Sequence, residues 1–114
     1  MRYHTIEVNG KEMHFRLTVD EIESIEKRNN VKMLDYIQDY SITTMVFLLQ
    51  NMYKEEGRGK LSHSEAQDLL EELFDNDYSL QRVEEEIILP CCAVSGLLTK
   101  SDLNKVLNRG QATQ

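Results

Sequence analysis

Several groups of residues in this chain are of types that do chemistry. The first is Asp75-Asn76-Asp77-Tyr78-Ser79, with Glu86 in twelfth place. An EF-hand calcium loop takes oxygen ligands at positions 1, 3, 5 and 12, and those places are filled. The place for the turn-forming glycine is Leu80, however, and a cation, Arg82, follows two residues later. The apolar spacing from Leu80 onward is helical, so a calcium-responsive module stands only as an alternative. The second group is Cys91-Cys92. Adjacent cysteines make a strained disulfide, and no third cysteine gives zinc or thioredoxin spacing. Cys91 falls on an apolar helical face and reads as a small hydrophobe in a reducing compartment. The three histidines, His4, His14 and His63, show no spacing that sets an imidazole against a nucleophile or a carboxylate. Gly57-Arg58-Gly59-Lys60 lacks both the spacing of a phosphate loop and the strand that precedes one. No catalytic, cofactor-binding or metal-binding residue is assigned.

The charge is more informative. The chain has 114 residues, with 20 acids against 13 bases and a net charge of −7. Nine of the acids lie between Glu65 and Glu86, opposed only by Arg82, so that segment carries −8 and the remainder is nearly neutral. Such a chain is a poor ligand for nucleic acid. No apolar run reaches the roughly 18 residues of a membrane span. Met1 to Thr5 lack the apolar core of a signal peptide. The acidic segment reads either as a solvated helix face or as a docking surface for a basic partner or a neighbouring subunit. Glu71, Glu72, Glu84 and Glu85 are the candidates for self-association.

These residues need elements to position them. Asn9-Gly10 is the signal for a type I′ hairpin turn, in which both central residues take positive φ. It pairs Val8 with Lys11, Ile6 with Met13 and His4 with Phe15, and it gathers Val8, Ile6, Met13 and Phe15 on one face. Thr18-Val19-Asp20-Glu21 is a capping box. The helix behind it is expected from about Val19 to Arg28, with Val19, Ile22 and Ile25 inward. A short helical piece over 31–38 follows. Ser41 opens an apolar helix to about Lys54, in which Ile42, Met45, Val46, Leu49, Met52 and Tyr53 make a stripe at i, i+3, i+4 and i+7. Adaptable methionine-lined surfaces bind partner helices, so this stripe is the candidate client-binding face. Ser62-His63-Ser64-Glu65 caps an acidic helix with Ala66, Leu69, Leu70, Leu73 and Phe74 on its apolar side. Ser79 caps a longer helix reaching Leu98, which Pro90 either kinks or splits. A short helix from Ser101 precedes a tail, 109–114, expected to be disordered. The predicted fold class is α+β, mostly α. An N-terminal hairpin (about 2–17) is followed by five or six short helices (about 19–108) in one compact domain.

Three runs carry a family likeness. They are Tyr3-His4-Thr5-Ile6-Glu7-Val8-Asn9-Gly10-Lys11-Glu12, then Phe15-Arg16-Leu17-Thr18, then Ile22-Glu23-Ser24-Ile25-Glu26-Lys27. With Val94-Ser95-Gly96-Leu97-Leu98 further on, the pattern resembles the small tail assembly chaperones of long-tailed (siphovirus-type) bacteriophages and prophages of Gram-positive bacteria. The resemblance implies a non-enzymatic protein in the host cytoplasm, without cofactors. It implies that the chain coats the long helical tape-measure protein and associates with itself. Another phage structural component, such as a head–tail connector or a tail completion protein, is the alternative.

Overall fold

The computed structural model describes residues 2–39 and 41–112, with the backbone alone at 106 and 108–112. Strands β1 (His4–Val8) and β2 (Lys11–Phe15) form the hairpin in the expected register, with Asn9 at φ 55° and Gly10 at φ 77°. Both residues are left-handed, as a type I′ turn requires. Met13, Phe15 and Val8 point inward and are buried. Beyond the turn the hairpin gains a third strand that periodicity did not indicate. The apolar helix, α3 (Ile42–Met52), stops two residues short of its expected end, and β3 (Tyr53–Lys54) pairs antiparallel with β2. Tyr53 takes extended backbone and packs edge-on to Phe15, with ring centroids 5.8 Å apart. Pairing with an open strand edge outweighs one more helical turn there.

Helix α1 (Val19–Asn29) begins on the predicted capping box. The Glu21 amide donates to Thr18 Oγ1 at 3.2 Å, and the Thr18 amide donates to Glu21 Oε1 at 2.9 Å. It ends on Asn30 in the left-handed conformation, φ 50°. Ile25 is buried and Ile22 partly so, but Val19, the first helical residue, is 80% exposed and not turned inward as expected. Thr18→Ala should cost about 1 kcal/mol, the ordinary worth of an N-cap. Urea midpoints at pH 7 check this, and no loss would mean that the first turn frays in the parent as well.

A short helix, α2 (Met33–Tyr36), leads to α3, the centre of the core. Helix α4 (His63–Asp75) starts on the Ser62–Glu65 capping box and lays Ala66, Leu69, Leu70 and Leu73 against α3. Helix α5 (Leu80–Val83), a π-helical turn over Glu84–Ile88 and α6 (Leu89–Val94) then run on with unbroken right-handed helical backbone. Pro90 therefore neither splits this helix nor ends it. The widened turn absorbs it, with the Leu89 amide reaching back five residues to the Glu84 carbonyl. Pro90 has no N–H for the Glu86 carbonyl four residues behind it. The ring of His4, on β1, supplies a donor instead: Nε2–H lies 2.6 Å from that oxygen. The helix stops at Val94, four residues before the expected end. Gly96 turns left-handed at φ 93°, and the Leu97 amide caps the Cys92 carbonyl at 2.9 Å. Helix α7 (Lys100–Ala112) is capped by Thr99 and continues past the expected start of the tail. Residues 113 and 114 of that tail lie outside the described residues.

Candidate functional site

The six residues expected to meet a client do not form a surface. Met45, Leu49 and Met52 are fully buried, and Val46 and Tyr53 nearly so; only Ile42, at 50%, is exposed. The helical stripe is real, but it packs on α4 and the sheet and closes the core. The exposed large apolar side chains nearby are Val31, Leu34 and Ile42, which flank α2.

The four acids expected to drive self-association divide likewise. Glu71 and Glu72 stand on the outer side of α4 with Asp68 and Asp75, at i, i+3, i+4 and i+7 of one ridge. Glu85 is half-buried and accepts a hydrogen bond from Gln81 at 2.9 Å. Glu84 is only 1% exposed, on the inner side of the π turn between Val83 and Ile87, so it is not a surface charge. Its Oε1 has no hydrogen-bond partner. Burial, and then the Glu85 charge, push its carboxyl up to about 8. It is neutral at pH 7 and adds nothing to the acidic face.

The α4 ridge lines an open concavity of about 630 Å³, faced by Asn9 and Lys11 of the hairpin tip and by Glu55 and Arg58 of the following loop. Arg58 is already committed. It lies 2.7 Å from Glu65 and 3.8 Å from Glu55. Its hydrogen bond, with that of the Ser62 amide, holds the Glu65 carboxyl down at about 2. Asp68, Glu71, Glu72 and Asp75 have no ion-pair partner among the described residues. The ridge therefore presents uncompensated negative charge in a row about 10 Å long.

A second concavity, of about 450 Å³, shares no lining residue with the first. Lys27 and Arg28 border it from the last turn of α1, and Lys60 from the loop. Its floor is Ile25 and Phe47. No carboxylate is among its lining residues; Lys27 lies 3.7 Å from Glu23 on its own helix, whereas Arg28 and Lys60 are free of ion pairs among the described residues. This cationic recess went unseen in the sequence, because Lys27-Arg28 and Lys60 are 32 positions apart and share no pattern. Glu84 did leave a signal. It stands four residues after Leu80 and four before Ile88, within the apolar stripe.

The other constellations are also placed. Ser79 accepts from the Arg82 amide as a helix cap, and Glu86 pairs with Arg82 on the outside of the helix. The chain from Leu80 thus runs straight where a calcium loop would wrap. Among the described residues, no group of three or more His, Cys, Asp or Glu is arranged to hold a metal. Cys91 and Cys92 are free and fully buried; burial pushes the Cys91 thiol up to about 12 and Cys92 higher still. His14 accepts from or donates to Thr5 at 2.9 Å on the outer face of the hairpin. No helix among the described residues is long and apolar enough to cross a membrane. The chain matches no protein-family model, no curated protein and no solved structure.

Proposed function

We propose that this protein is a phage tail assembly chaperone that holds the tape-measure protein in the host cytoplasm and associates with itself. The observation that carries the reading is the order of its motifs. An Asn-Gly hairpin, a Leu17-Thr18 step into an Ile/Glu/Lys helix, an apolar helix, an acidic helix and a Val94-Ser95-Gly96 segment follow one another as in that family. The fold gives each motif a structural duty, which suits a binding protein that works through its surfaces. A client must meet what α3 leaves outside, so its apolar contact falls to Val31, Leu34 and Ile42 around α2. Long helices with apolar stripes are the chemistry that such side chains accept. The negative ridge on α4 keeps a loaded complex in solution.

The deciding experiment is co-expression with the tape-measure protein of a long-tailed phage of Gram-positive bacteria, followed by affinity capture. Stoichiometric co-purification, weakened at least tenfold by Leu34→Asp with Ile42→Asp, is the expected result. A client that passes through unretained, with both proteins folded, would overturn the reading.

A further inference from the structure

The two concavities differ in the charge that dominates their lining. One is edged by a ridge of unpaired carboxylates, Asp68, Glu71, Glu72 and Asp75, on α4. The other is a recess with an apolar floor and three cations, Lys27, Arg28 and Lys60. They share no lining residue. Arg58 lines the first and Lys60 the second. Within one molecule, then, the ridge and the recess are separate surfaces.

We propose that the recess between α1 and α3 receives the α4 ridge of a second copy of this chain. The charge match selects the occupant. A helix offering carboxylates at i, i+3, i+4 and i+7 presents several of them together to three cations grouped around one cleft. Phe74, 37% exposed and three residues beyond Glu71, adds an apolar anchor on the flank of the ridge. Phe47, partly buried, is the apolar side chain of the recess on which such an anchor rests. Because ridge and recess are different surfaces, the contact is head-to-tail. It leaves one of each unfilled at the two ends, so it builds open arrays or rings in place of closed two-fold dimers. This deepens the self-association part of the proposed function and does not depend on the client.

A charge swap tests it. One variant carries Lys27→Glu, Arg28→Glu and Lys60→Glu; the other carries Asp68→Lys, Glu71→Lys and Glu72→Lys. Circular dichroism confirms that each is folded, and sedimentation equilibrium at 50 mM and 500 mM salt reads the mass. The parent should form species larger than dimers, with an apparent Kd at least about tenfold weaker at the higher salt. Each variant alone should be monomeric. An equimolar mixture should assemble again, because each now complements the other. The inference is overturned by a parent that is monomeric or stops at a salt-insensitive dimer, by a variant that still assembles alone, or by a mixture that stays monomeric. Client capture is read separately. Capture that persists without assembly would leave the client-binding part of the proposed function standing while self-association and this contact fall.

Discussion

At pH 8 the Glu84→Gln protein is expected to be more stable than its parent, and at pH 4 the two should be alike. The reason is the environment of this carboxyl. It is buried at the inner side of the π turn, Oε1 finds no partner, and the nearest charge acting on it is another carboxylate, Glu85. The folded chain therefore keeps the proton up to about pH 8, whereas the unfolded chain releases it near 4.5. Between those values the unfolded state has fewer protons bound, so each step up in pH favours unfolding. The loss accumulates to about 3 kcal/mol at pH 7 and about 4 kcal/mol at pH 8. Glutamine keeps the shape and removes the titration. Its urea midpoint should stay level from pH 5 to pH 8 while that of the parent falls. The lowered carboxyls act in the opposite sense. Glu21, where burial is outweighed by the Lys54 and Thr18 hydrogen bonds, supports the fold above the ordinary carboxylate range and loses that effect as the medium becomes more acidic. The parent should thus be most stable near pH 5. Equal slopes in parent and variant would show that Glu84 ionises in the folded state as freely as in the unfolded one.

Leu49→Ala should remove about 3 kcal/mol of stability, within the range of about 2 to 5 kcal/mol found when a buried leucine is truncated. Leu49 is fully buried on α3, the helix that packs on α4, so the site has little room to collapse. Ile42→Ser, at the exposed start of the same helix, should change stability by no more than about 0.5 kcal/mol. Denaturant midpoints separate the two. The contrast also decides what α3 is for. If the stripe were a client-binding face, Leu49→Ala would reduce capture and leave the midpoint unchanged.

What the sequence made legible was mostly local. The register of the hairpin followed from Asn9-Gly10 and the alternation around it, because turn geometry and pleat agree on one solution. Thr18, Ser41, Ser62 and Ser79 all cap the helices they were expected to cap, since a cap is decided within three residues. Periodicity found the apolar stripe of α3, but it could not say whether another element covers it. Five of its six residues proved to be core for that reason. The two-residue strand at Tyr53 depends on a partner strand some forty positions earlier. The π turn arises where a buried carboxyl and a proline fall on one helix. The cationic recess needs α1 and the 55–62 loop to meet. Each is settled by tertiary neighbours, and none has a local signature.

The hydrogen bonds between the hairpin and the long helix also govern the order of folding. His4 donates to Glu86 across 82 positions, Arg16 to Val94 across 78, and the Leu17 amide to Ser95 across 78. An isolated hairpin is marginal in water. During synthesis β1 waits for its contacts with α6 while most of the domain's length is added. Closing so long a loop carries an entropy that grows only with the logarithm of its length. The delay is one of chain elongation and search, and it lowers the folding rate more than the final stability. A fragment that stops before residue 86 would carry a sheet without its α6 contacts, and it is there that the chain is most exposed to misassembly.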